Sequence, residues 1–261
     1  TVFAGTVGDG VAVRKVIDGY DAADPYSKKA RPAILPMTGL KVGVLKNDER
    51  EFYGNRDYEA IYDAAIERAR ALGAEIVAFD YAPFRQAAEL LYNGPWVAER
   101  LAAVKDFIIS NAADVDPTVR TIISGAAHYS AVDAFEGLYT LEALRQKTLA
   151  TWETVDVLML PTSPTTYRVE DMLSDPIVRN GHLGRYTNFA NLFGYAAIAI
   201  PAGFDPQGHL PAGVTLFGPA FSDDALAPFA DALHRALAVG MGRDKAAALP
   251  LPSRVGEPDD G

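Results

Sequence analysis

A strand–helix–strand pattern between residues 41 and 79 constrains the fold of this chain most strongly. Residues 41–45 (KVGVL) and 75–79 (EIVAF) are short apolar runs with the length of buried strands. Between them, residues 58–72 repeat apolar side chains at helical spacing, and Gly73 follows as a helix stop signal. A helix that joins two such strands predicts a parallel strand pair with a right-handed crossover.

The remaining patterns extend this unit to a larger sheet. Residues 155–160 indicate another buried strand, and residues 196–200 and 213–217 indicate a hairpin-like or bulged pair. Helical patterns cover residues 7–17, most of 83–151, 187–193 and 223–239. The predicted fold class is therefore α/β, a mixed β-sheet flanked by helices. Ligands of such sheets bind beyond the carboxyl ends of strands, so the loop after Leu160 is a candidate pocket.

Composition excludes several classes of function. The net charge is −10 and no basic run is present, which argues against nucleic acid and anionic membranes as partners. The absence of cysteine excludes disulfides, thiolate zinc sites and cysteine nucleophiles. None of the four histidines is paired at metal-ligand spacing, so no metal site is expected. His128, beside Tyr129, is kept as a residue that could line a pocket, although a lone histidine is more often structural or exposed.

The segment from Leu91 to Arg100 is the strongest candidate site. Its Asn-Gly-Pro sequence breaks a helical pattern between Tyr92 and Arg100, which are eight residues apart (100 − 92). On a straight helix the two residues would be separated by a rise of ~12 Å, whereas the break could bring them to one cavity. A phenol and a guanidinium together suit a small, planar, anionic ligand. The alternative is a core tyrosine and a solvated arginine.

Ser163 is the serine in the most suggestive position. It lies in a Pro- and Thr-rich loop, PTSPTT, at the end of the strand that finishes near Leu160. A serine nucleophile needs a base within hydrogen-bond reach, and no histidine or lysine is close in sequence. Formation of a turn is the alternative role for this loop. The sequence contains no G-x-S-x-G, Walker or H-E-x-x-H motif.

Several longer segments resemble the amidase-signature hydrolases. Pro201-Ala202-Gly203 and Gly213-Val214-Thr215 are similar to pieces of the wider superfamily. The runs at residues 94–100 (GPWVAER) and 184–189 (GRYTNF) resemble those of its allophanate hydrolase branch. The resemblance covers nearly all of residues 1–240.

The resemblance implies a mixed sheet between helices and a serine nucleophile, with a second serine on a cis peptide and a lysine base. It implies no organic cofactor and no metal. In the family these catalytic residues precede the segment that matches Thr1, so no catalytic residue is expected in this chain. Residues 1–245 are expected to be the C-terminal portion of an amidase-signature domain, and residues 246–261 a linker or tail. A preceding amidase segment, a further C-terminal domain, a homodimer and a cytoplasmic location are also expected.

The resemblance also assigns a substrate. Tyr92 and Arg100 match positions that bind allophanate, a carboxylated urea, and Thr162 and Ser163 are expected to line the same pocket. The implied function is cleavage of allophanate to ammonia and carbon dioxide in urea or s-triazine breakdown. Two alternatives remain: a general amidase for small amides, and a non-catalytic half that needs a partner segment and is poorly soluble alone.

Overall fold

A five-stranded mixed sheet forms the centre of the first of two compact units. The structure, a computed structural model, describes residues 1–36, 38–207 and 210–241. The strands are β1 (Lys41–Leu45), β2 (Glu75–Phe79), β3 (Val157–Pro161), β4 (Ala196–Phe204) and β5 (Pro211–Gly218). Their order among the described residues is β2-β1-β3-β5-β4.

The pairing of these strands confirms the predicted mixed sheet. Strand β1 pairs in parallel with β2 and with β3, while β5 is antiparallel to both β3 and β4. The register of β4 against β5 shifts between Pro201 and Gly203, which is the bulge that the sequence left open as an option. All five residues of β3 are buried, as expected for a strand with neighbours on both sides.

The ten α-helices of the described residues divide between the two units. They are α1 (Val7–Ile17), α2 (Arg56–Ala71), α3 (Ala82–Asn93), α4 (Trp96–Ser110), α5 (Pro117–Ser124), α6 (Ala131–Trp152), α7 (Val169–Ser174), α8 (Pro176–Leu183), α9 (Asn188–Phe193) and α10 (Asp223–Leu237). The first unit comprises residues 1–79, 152–162 and the part from 194 onward, and the second comprises 80–151 and 163–193. None of these helices is both long and apolar enough to cross a membrane.

Helix α2 shows how the local sequence sets an element of the first unit. The Asn55 side chain accepts a hydrogen bond from the Tyr58 backbone N–H and caps the helix start. Gly73 has a φ of 90°, a left-handed conformation that glycine adopts without a steric cost, and it ends the helix as predicted. The Tyr62 hydroxyl accepts from the Leu45 N–H at 3.2 Å and donates to the Met159 carbonyl at 2.8 Å. The helix is thereby tied to β1 and β3.

The second unit is helical and has an aromatic core. Tyr81 and Phe84 at the start of α3 meet Tyr186, Phe189 and Phe193 from the α9 region. The ring centroids in this cluster are 5.2–6.4 Å apart, within or close to the range of favourable aromatic pairs. The Tyr81 hydroxyl donates to the Arg185 carbonyl at 2.6 Å, so the phenol is buried with its polar end satisfied.

Two short helices and several element ends differ from the sequence-based expectation. The patterns predict nothing for α7 and α8, because Pro176 interrupts this stretch and divides it into helices of six and eight residues. The last helix ends at Leu237 rather than 239, since Ala238 is left-handed with a φ of 54°. The predicted tail at residues 246–261 and His209 lie outside the described residues. The predicted boundary at residue 245 stays a prediction.

Replacing Tyr62 with phenylalanine should destabilise the first unit. Tyr62 is 1% exposed, and the change removes both of its hydroxyl contacts without removing the ring. Loss of buried hydrogen bonds of this kind costs about 1–3 kcal/mol. Urea denaturation measures the effect, with Tyr26→Phe at an 87% exposed position as the control. Equal stability of the two variants would contradict this account.

Tyr81 should make the second unit sensitive to alkaline pH. Burial raises the pKa of the Tyr81 phenol well above its ordinary value, whereas an unfolded tyrosine ionises near pH ~10. The unfolded chain therefore loses a proton that the folded chain keeps, and this contribution to stability, complete below pH ~10, is lost as pH rises through the folded pKa.

The comparison of wild type with Tyr81→Phe isolates this contribution. The variant should be less stable at neutral pH, because the bond to the Arg185 carbonyl is lost. The difference in urea midpoint between wild type and Tyr81→Phe should become smaller as pH rises above about 10, because only the wild type loses the contribution of Tyr81. A gap that stays constant across that pH range would show that Tyr81 ionises alike in both states.

Candidate functional site

Only two residues, Gly94 and Pro95, separate α3 from α4, and the helical path of the chain is broken there. Helix α3 ends at Asn93 and α4 begins at Trp96, with Gly94 extended (φ −124°, ψ −175°) and Pro95 at φ −70°. A Cβ atom on Gly94 would lie 2.6 Å from the Leu90 carbonyl oxygen, closer than real Cβ contacts. Only glycine fits there, so the turn of the chain follows from the Asn-Gly-Pro sequence itself.

Tyr92 and Arg100 lie together across this helix break. The guanidinium carbon of Arg100 lies 4.6 Å from the centroid of the Tyr92 ring, a cation–π distance. Arg100 Nη1 also donates to the Leu91 carbonyl at 3.0 Å, which satisfies one of the unpaired carbonyls at the end of α3. The two side chains are therefore close in space, while the prediction that they line one cavity stays a prediction. The alternative of a core tyrosine is wrong, because Tyr92 is 39% exposed.

The charge of Arg100 is not neutralised by a neighbouring acid. Several other arginines of the described part of the chain have an acidic side chain within 4 Å, but Arg100 has none there. The side chain is half-buried, and one of its N–H groups is committed to Leu91. Its other guanidinium donors remain for an anion, which a planar guanidinium can bind with two parallel hydrogen bonds.

The other two predicted site residues make local contacts. Thr162 Oγ1 lies 2.9 Å from Thr215 Oγ1, and the Thr162 N–H donates to the Gly213 carbonyl at 2.9 Å, both within the first unit. In the second unit, the Ser163 hydroxyl donates to the Thr165 carbonyl at 2.8 Å. That bond favours a role for Ser163 in a turn. A role of either residue in a pocket stays a prediction.

The described residues hold no cluster of three or more His, Asp or Glu side chains that could bind a metal ion. His128 ends a short 3₁₀ helix and is exposed, which favours the alternative of an exposed histidine. The sequence patterns missed a second polar pair in the same unit: the Tyr167 hydroxyl lies 2.5 Å from His182 Nδ1. Tyr167 precedes α7 and His182 lies near the end of α8, so no periodic pattern links them.

Within the Tyr92–Arg100 arrangement, Arg100 can bind and orient a ligand but cannot accept a proton from it. An arginine stays protonated at all ordinary pH values, so it can act as a hydrogen-bond donor and not as a base. No described residue hydrogen-bonds the Tyr92 hydroxyl, which is therefore able to bond a ligand oxygen or nitrogen.

Known proteins resemble this chain in sequence over most of its length. A urea amidolyase of Lachancea kluyveri is 38% identical over 234 residues, which are 88% of this chain and 13% of that protein. A urea amidolyase of Saccharomyces cerevisiae is 40% identical over 212 residues, or 80% of this chain and 11% of that protein. The chain thus spans a small part of the length of the curated relatives it matches.

The fold is shared with solved structures as well. The structure of Kluyveromyces lactis allophanate hydrolase matches with a TM-score of 0.84 and 34% sequence identity, over 89% of this chain and 38% of that one. The sequence profile of the family described as Amidase matches residues 1–227, which include all five strands of the sheet and the whole Tyr92–Arg100 segment. The chain belongs to the amidase family.

Proposed function

We propose that this chain supplies the substrate-recognition part of an amide hydrolase that cleaves allophanate to ammonia and carbon dioxide. The observation that carries the proposal is the Arg100 guanidinium stacked on Tyr92, with no acidic partner among the described residues. Allophanate is a planar urea that carries a carboxylate. The names of the similar proteins, urea amidolyase and allophanate hydrolase, support the same substrate.

Each side chain has a distinct task in this proposal. The Arg100 donors not used by Leu91 pair with the substrate carboxylate, bidentately where the geometry allows. The Tyr92 ring holds the guanidinium in place from one side, and its hydroxyl bonds an amide or carboxylate oxygen of the substrate. Fixing both ends of a small planar molecule orients its amide carbon for attack. Thr162 and Ser163 are proposed to line the same pocket.

Amide cleavage itself is proposed to come from residues outside this chain. The Ser-Ser-Lys set of amidase-signature hydrolases is expected in a segment that precedes Thr1 in the whole protein. There the serine attacks the amide carbon, ammonia leaves, and water releases the acyl group. A homodimer, a cytoplasmic location, a further C-terminal domain and a role in urea or s-triazine nitrogen breakdown belong to the same proposal.

Replacing Arg100 with alanine in the intact enzyme should selectively impair allophanate hydrolysis. Loss of a charge-pairing residue should cost about 2–5 kcal/mol of transition-state binding. Values of kcat/KM are measured for allophanate and for acetamide, which has no carboxylate to pair. Arg100→Lys keeps the charge and loses the planar pair of donors, so it should recover only part of the activity.

Lys105→Ala provides the matched control for this change. Lys105 is an exposed cation on the same helix, α4, so its removal alters net charge equally without touching the site. It should leave both substrates unaffected. An equal loss for allophanate and acetamide in Arg100→Ala would instead indicate a general amidase of small amides.

Two substitutions at Tyr92 should separate its ring from its hydroxyl. Tyr92→Phe keeps the stacking surface for Arg100 and should lower kcat/KM for allophanate by the value of one hydrogen bond, about 0.5–1.5 kcal/mol. Tyr92→Leu also removes the aromatic surface that contacts Arg100. It should lower transition-state binding of allophanate by roughly 0.5–1 kcal/mol more than Tyr92→Phe does, as expected for a partly exposed cation–π pair. Steady-state kinetics of both variants test this order. If Tyr92→Phe and Tyr92→Leu lower kcat/KM for allophanate equally, the ring of Tyr92 does not contribute to the site.

A further inference from the structure

Two residues of the second unit, outside the Leu91–Arg100 segment, contact the break between α3 and α4. The first is Tyr129, which precedes α6 and is half-buried. Its hydroxyl donates to the Asn93 carbonyl at 3.1 Å. Asn93 is the last residue of α3, so its carbonyl is one of the four that have no partner within the helix. Tyr129 thus caps α3 from a position 36 residues later in the chain.

The second is Gly137, a buried residue within α6. A Cβ atom at this position would lie 2.5 Å from Pro95 Cγ, 3.0 Å from Pro95 Cδ and 3.4 Å from Trp96 Cζ3. The proline ring therefore rests directly on the bare backbone of α6. An alanine would force the ring back by about 1 Å to reach ordinary van der Waals contact. A change of ring pucker would move chiefly Cγ and leave Cδ, which is bonded to the backbone nitrogen, in its tight contact of 3.0 Å.

We infer that Tyr129 and Gly137 are positioning residues that set the substrate specificity of the Tyr92–Arg100 site. The inference rests on the proposed function. Both residues fix the segment on which the site is built: Tyr129 holds the residue after Tyr92, and Gly137 holds the proline from which α4 starts towards Arg100. Neither residue needs to contact the substrate.

The geometry explains why a small displacement matters. Arg100 is located by its bond to the Leu91 carbonyl on α3 and by the Tyr92 ring, while its own backbone belongs to α4. A shift of α4 relative to α3 changes both contacts at once. Misplacing a substrate-binding group by about 1 Å is enough to reduce catalysis on the order of a hundredfold.

The test uses the intact enzyme with Gly137→Ala and Tyr129→Phe, each alone and combined with Arg100→Ala. Gly137→Ala should lower kcat/KM for allophanate about a hundredfold, and Tyr129→Phe about two- to tenfold. Hydrolysis of acetamide should change little. In the Arg100→Ala background both effects on allophanate should vanish, because the group through which they act is gone.

Gly181→Ala is the matched control, since Gly181 is another glycine within a helix of the same unit and an added Cβ meets nothing within 4 Å. It should behave like wild type. Equal losses on both substrates, or losses that persist in the Arg100→Ala background, would overturn the inference. If Gly137→Ala does not fold, Tyr129→Phe tests the inference by itself. Its effect is then compared between allophanate and acetamide, and between the wild-type and Arg100→Ala backgrounds.

A readout independent of turnover separates this inference from the proposed function. The Nε–H NMR resonance of Arg100 lies near the Tyr92 ring and should shift in Gly137→Ala and Tyr129→Phe but not in Gly181→Ala. An enzyme that hydrolyses acetamide and leaves allophanate intact would refute the proposed function alone. Unchanged Arg100 resonances in both variants would refute the positioning role, whatever the substrate.

Discussion

The close approach of Gly94 to the Leu90 carbonyl is the constraint on which the candidate site depends. With a side chain at this position α3 and α4 could not meet so tightly, and Tyr92 and Arg100 would be distributed along a longer, straighter path. The glycine acts through the space that it leaves empty and not through a special backbone angle, since its φ of −124° is open to any residue. Pro95 then gives α4 a start with its φ already fixed.

Arg100 carries out two tasks that are usually kept apart. It satisfies a free carbonyl at the end of α3, and it presents a cation that no described acid neutralises. A helix cap fixes a side chain and therefore lowers the entropy that ligand binding would otherwise cost. Structural and recognition roles support each other here, and a variant of this residue must be assessed for both.

The sequence was most informative where an element is long or a break is sharp. The unit from β1 to β2, the central part of β3 and the break at Pro95 could all be predicted, because buried strands, helical periods and Asn-Gly-Pro have local signatures. The contact of Arg100 with Tyr92 followed from the break and from the limited reach of a straight helix. Tyr129 and Gly137 left no such signal, because their partners lie more than thirty residues away and nothing in a local pattern reports a tertiary contact. The separate hydrogen bonds of Thr162 and Ser163 were hidden for the same reason.

The position of β3 in the sheet has a consequence for how the chain folds. Val42 pairs with Val157 across 115 residues (157 − 42), whereas β4 and β5 follow each other closely in sequence. Loop-closure entropy must be overcome before so distant a pair of strands gains any hydrogen bonds. The β4–β5 hairpin and the β1–α2–β2 unit are therefore expected to form early, with β3 inserted between them last. Until then the inner edges of both pieces are unpaired, and this interval is when the chain is most exposed to aggregation.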